Sequence, residues 1–82
     1  MNELILEIMK IALEKNHINK NTIFVNFYGH VNSIRIGVYK NGWKKDTKPT
    51  YTKEAHLKGV FSDEYNKQEV KEILNYLKGL ED

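Results

Sequence analysis

The chain has 82 residues, a formal charge of +2 and no cysteine, which excludes disulfides, zinc–thiolate sites and cysteine catalysis. A secreted chain this short would ordinarily rely on disulfides, so a cytoplasmic setting is expected. One domain spanning residues 1–82 is expected; it would bury about 60–65% of its unfolded surface, so its stability is marginal and dimerisation would help.

The first element is a helix from Asn2 to about Asn16. Between Glu3 and Glu14 its polar positions are Glu3, Glu7, Lys10 and Glu14. Spaced four, three and four apart, they form one narrow stripe. Lys10 lies within ion-pairing reach of Glu7 and Glu14. Leu4, Ile5, Leu6, Ile8, Met9, Ile11, Ala12 and Leu13 fill the rest of the surface. A surface helix ordinarily carries an apolar stripe and a broad polar face. The reversal predicts burial on two sides, one of them against another chain. Leu6, Met9 and Leu13 share one flank and are the candidate protein-interface residues. The apolar part is only ten residues long and contains Glu7 and Lys10, too short and too charged to cross a bilayer. Its acidic start and the lack of a small-residue cleavage site argue against a signal peptide.

Thr22 to Tyr28 alternates, with Ile23, Val25 and Phe27 on one face and Phe24, Asn26 and Tyr28 on the other. The β-branched and aromatic content predicts a strand. A short connection, Gly29 to Ser33, leads to a second alternating run, Ile34 to Lys40. Asn41-Gly42 then predicts a two-residue hairpin of type I′, since both residues tolerate positive φ. That register places Lys40 opposite Trp43, Tyr39 opposite Lys44 and Val38 opposite Lys45. Trp43 falls on the core side, and the lysines guard the third strand as a sheet edge. Lys45 to Pro49 is a polar loop. Residues 50–61 fit either a strand beginning near Tyr51, which is favoured, or a short capped helix over Lys53–Lys58.

Asp63 to Asn66 reads as a turn into the last helix, with Asn66 and Glu69 as a capping-box-like start. Val70, Ile73, Leu74 and Leu77 recur at helical spacing and mark its buried face, and Gly79 marks its stop. The fold class is α+β: helix, three- or four-stranded antiparallel sheet, helix, with both helices on one sheet face and the other face open. Ile36 and Ile73 are expected to be fully buried.

The open face gathers Phe24, Tyr28, Arg35, Tyr39 and Lys44, the candidate nucleic-acid residues. Rings beside cations suit base stacking and phosphate contact. Gly37 leaves room there for a flat group. The competing reading packs these rings under residues 45–61, against a second subunit, or as cross-strand pairs. Charge is unevenly spread: residues 1–16 carry −1, residues 17–62 carry +6 and residues 63–82 carry −3. A basic middle can meet a polyanion, or can simply be solvated. The order helix, three strands, helix resembles the double-stranded RNA-binding domain in architecture alone. That family sets a lysine cluster at the start of its final helix to meet phosphates. Here the matching segment, Asp63-Glu64-Tyr65-Asn66-Lys67-Gln68-Glu69, is mostly polar and acidic, so the family's function is not carried over.

His17, His30 and His56 are widely spaced singles, without the paired spacing of a helix-borne metal site. Ser33 and Ser62 sit in no nucleophile elbow, and there is no glycine-rich phosphate loop. No catalytic residue, cofactor, metal or membrane partner is expected. An enzyme built around His30 is the weakest of three readings. The favoured one is a non-enzymatic interaction protein that binds another protein, itself or a target. The second is a nucleic-acid-binding module. Twelve lysines against one arginine suggest an AT-rich genome, compatible with a Firmicute or one of its phages. That style suits an accessory protein of a phage or mobile element, such as an inhibitor of a host enzyme.

Overall fold

The computed structural model describes residues 1–81. In chain order the elements are α1 (Asn2–Lys15), β1 (Thr22–Tyr28), a 3-10 turn (Gly29–Val31), β2 (Ser33–Tyr39), β3 (Tyr51–His56) and α2 (Asp63–Lys78). The strands form one antiparallel sheet in the order β1-β2-β3. Both helices lie on one face, α1 over β1 and α2 over β3, and they pack on each other.

The core follows from the two periodicities. Ile34, Ile36 and Val38 alternate inward from the central strand, where helices cover them. They meet Ile8 and Ala12, one turn apart on α1, and Val70, Ile73, Leu74 and Leu77 on α2. Ala55 and Leu80 complete the cluster. Ile36 and Ile73 are 0% exposed, as the alternation and the helical spacing require. The Lys15 ammonium donates to the carbonyls of Lys78 and Leu80, tying the end of α1 to the end of α2. On the β3 side, Lys53 pairs with Glu69 and Glu72 of α2 at 3.1 and 2.8 Å.

The hairpin expectation is overturned. Type I′ needs positive φ at both central residues, and of this pair only Gly42 has it, at +84°. The Gly42 amide donates to the Lys20 carbonyl at 2.7 Å, so the chain is drawn towards the turn after α1. It does not fold straight back along β2. The third strand is Tyr51–His56, so the chain is extended from Tyr51 as favoured, and the strand ends before the bends at residues 58–61. The reason is burial: Lys44, Lys45 and Asp46 offer nothing to the core, whereas Tyr51, the Lys53 stem and Ala55 alternate inward. The Thr50 amide donates to the Val38 carbonyl at 2.7 Å and closes the loop. The lysine-guarded edge at residues 43–45 therefore does not form, and the sheet edges are β1 and β3.

Three smaller corrections follow. Trp43 is not a core residue; it is exposed on the far side of the sheet. Phe27 has the expected facing, but it is 64% exposed because neither helix covers the end of β1. The last helix begins four residues earlier than expected, its cap at Ser62 in place of Asn66 and its first residue at Asp63. Ser62 is its cap, its Oγ accepting from the Tyr65 amide at 3.2 Å. A serine followed by two acids is the stronger start, because the carboxylates sit against the positive end of the helix. Asn66 is instead buried in the first turns, its Nδ2 donating to the Phe61 carbonyl at 3.3 Å. Gly79 is the C-cap, as the sequence indicates.

Candidate interaction surfaces

Two surfaces stand out, one on each side of β1. The first is an apolar groove of about 660 Å³ between the start of α1 and the end of β1. Met1, Ile5, Leu6 and Met9 form one wall, and Val25, Phe27 and Ile34 the other, with Leu57 at one end. Leu6 is 69% exposed and Leu13 74%. Two of the three candidate interface residues, Leu6 and Met9, line the groove. Leu13 is on the same flank of α1, beyond its lining.

The groove opens onto the free edge of β1. In an antiparallel sheet, successive residues point their amide and carbonyl groups to opposite neighbours. The Leu57 amide donates to the Asn32 carbonyl at 2.7 Å, so the even residues of β2 are bonded to β3. The odd residues of β2 therefore bond the even residues of β1, by the register Asn26 with Arg35 and Phe24 with Gly37. The odd residues of β1, Ile23, Val25 and Phe27, point outward. Ile23 is already occupied, its amide donating to Asn16 Oδ1 at 2.8 Å. Among the described residues, nothing pairs with the outward amide and carbonyl groups of Val25 and Phe27. The strand Thr22-Ile23-Phe24-Val25-Asn26-Phe27-Tyr28 has no charge, no proline and no bulge to blunt that edge. The β3 edge, by contrast, carries Lys53 and Glu54.

The second surface is a smaller groove, about 220 Å³, on the sheet face away from the helices. Phe24, Tyr28, Arg35 and Tyr39 line it, four of the five residues expected there; Lys44 does not. Lys44 was placed by the hairpin register, and with the hairpin gone it sits exposed on the loop. Gly37 and Asn26, both expected on this face, complete the lining together with Trp43, Pro49 and Thr52, which were not expected there. Alternation already put Asn26 on this face; Trp43 and Pro49 arrive by a loop path that no local pattern encodes. Gly37 lies between Phe24 and Thr52 in the register and forms a low floor. The Phe24 and Tyr39 rings meet edge to face at 5.6 Å. Arg35 Nε reaches Thr52 Oγ1 at 3.4 Å, which steers the guanidinium along the face.

The displaced pKa values lie elsewhere. The hydrogen bonds that Lys53 donates to Glu72 and Glu69 raise its pKa, and Lys53 in turn lowers that of Glu72. Burial raises Tyr51, whose ring stacks on Tyr76 at 3.6 Å. This cluster joins β3 to α2 and touches neither groove. His30 stands edge-on to the Tyr28 ring at 6.4 Å. Among the described residues no three His, Asp or Glu side chains converge on a metal-sized site, and no helix is long and apolar enough to cross a membrane. Compared with known proteins, the chain matches no family model, no curated protein and no solved structure.

Proposed function

We propose that the protein is a non-enzymatic module that binds another protein chain along α1 and the edge of β1. The observation that carries this reading is the continuity of the apolar groove with an uncharged, unpaired strand edge. A partner segment in extended form adds a strand there. Main-chain bonds to Val25 and Phe27 supply affinity, and the pockets beside Leu6, Met9 and Phe27 select side chains. Its setting as an accessory protein of a phage or mobile element, directed at a host enzyme, has only the lysine-rich composition behind it. The test is photo-crosslinking in the cell that makes the protein. A photoreactive residue at position 27 is expected to yield protein adducts, and one at exposed Lys71 on α2 is not. Equal yields from both positions, or none from position 27, would overturn the reading.

A nucleic-acid reading has its own observation, the gathering of Phe24, Tyr28, Tyr39 and Trp43 around Arg35. Against it, the first turn of α2 carries Asp63 and Glu64, and residues 63–82 carry −3, which lowers the field around the basic segment. If single strands bind here, Tyr39→Ala should cost about 1–3 kcal/mol of binding through lost stacking. Lys44→Ala should flatten the salt slope by about one unit without changing sequence preference. Fluorescence anisotropy at low salt decides: no binding of single- or double-stranded probes at tens of micromolar removes this reading.

A further inference from the structure

We propose that the occupant of the β1 edge is a second copy of this chain, paired antiparallel through β1 with Asn26 on the two-fold axis. The inference rests on the α1–β1 reading and names its partner. The free hydrogen-bonding groups fix the register. A two-fold axis at Asn26 sets Val25 opposite the partner's Phe27, and Phe27 opposite the partner's Val25. Both pairs are of the kind that exchange two hydrogen bonds, so every free amide and carbonyl of Val25 and Phe27 is used. An axis at Val25 would bring Phe27 against the partner's Ile23, whose amide Asn16 already holds. An axis at Phe27 would bring Val25 against the partner's Gly29, which has left the strand for the 3-10 turn. The Asn16 carboxamide thus acts as a stop that leaves one register fully bonded.

The side chains agree with that register. On the helix side, Phe27 meets the partner's Val25, and the exposed flanks of the two α1 helices come together above the axis. Leu6, Met9, Leu13 and Phe27 leave on the order of 400 Å² of surface uncovered in one chain, in the size range of patches that often serve as interaction sites. These side chains alone supply about half of the ~800 Å² per partner typical of a stable interface, and the paired strand edge adds to it. On the open side, Phe24 meets the partner's Tyr28, a favourable cross-strand pair. Electrostatics do not oppose the pairing: β1 is uncharged, and a net charge of +2 repels a copy of itself only weakly.

The absence of cysteine gives a direct test. Facing residues that do not exchange hydrogen bonds have Cα atoms about 4.5 Å apart, within disulfide range. Asn26→Cys is therefore expected to oxidise to a covalent dimer at micromolar concentration. Phe24→Cys is expected to form no covalent dimer under the same conditions, because residue 24 faces residue 28 of the partner and not itself. Sedimentation should show a dimer for the wild type, shifted towards monomer by Met9→Glu with the circular dichroism of the fold retained. A wild-type monomer at about 100 µM, or a dimer in which Phe24→Cys links as fast as Asn26→Cys, overturns the proposal. A monomer that still yields foreign adducts from position 27 overturns the second-copy occupant alone and leaves the binding function standing. A monomer that yields none removes both.

Discussion

Truncating Ile36 or Ile73 to Ala is expected to cost about 2–5 kcal/mol in denaturant unfolding. Both side chains are 0% exposed. Ile36 is central in the middle strand, between Val25 and Lys53 in the register, and is roofed by both helices. Ile73 fills the inner face of α2 beside Val70, Leu74 and Leu77. Surrounding β-branched side chains have few alternative rotamers, so the vacated volume collapses poorly. A chain of this length has a total stability of about 4–12 kcal/mol. Either substitution therefore removes a large share of it. If the chain dimerises, its apparent stability depends on concentration, so wild type and variants must be compared at one concentration. A loss below about 1 kcal/mol for either residue would mean that its face is not the buried one.

Those two residues were legible because their positions depend on local periodicity. The same is true of α1, β1, β2 and the inner face of α2, whose patterns run for two turns or several strand residues without interruption. The narrow polar stripe of α1 likewise exposed its unpartnered flank, and Leu6 and Met9 proved to line a groove. Phe24, Tyr28, Arg35 and Tyr39 came together because alternation fixes a face whatever the neighbours do. The failures are all non-local. Asn41-Gly42 is a strong turn signal, but where the chain goes afterwards depends on Lys20 and on which later segment can bury apolar surface. Lys44 and Trp43 were misplaced with it. Phe27 shows a second limit, since a pattern says which way a side chain points but not whether anything covers it. The significance of β1 was hidden for the same reason: its edge status depends on where β3 pairs.

Gly42→Ala is expected to be much more damaging than Gly59→Ala, although both glycines have positive φ, +84° and +97°. A Cβ at Gly59 meets nothing within 4 Å. Its cost is the left-handed backbone alone, about 1–2 kcal/mol, partly offset by a stiffer unfolded chain. A Cβ at Gly42 would lie 2.8 Å from the Ile18 carbonyl oxygen, closer than real Cβ atoms come. That oxygen is backbone and cannot swing aside as a flexible side-chain tip could, so relief requires the two loops to separate. A further ~1–3 kcal/mol is expected from that strain. Separation also breaks the 2.7 Å bond from the Gly42 amide to the Lys20 carbonyl. The next residue is Trp43, the one tryptophan of the chain and part of the open-face groove. Its fluorescence therefore reports on the loop separately from global unfolding. In Gly42→Ala the folded-state emission should shift as the ring leaves the groove, and the unfolding midpoint should fall. In Gly59→Ala the emission should match the wild type. If both variants lose equal stability and keep the same emission, the contact at Ile18 does not hold the loop, and Trp43 is not positioned by it.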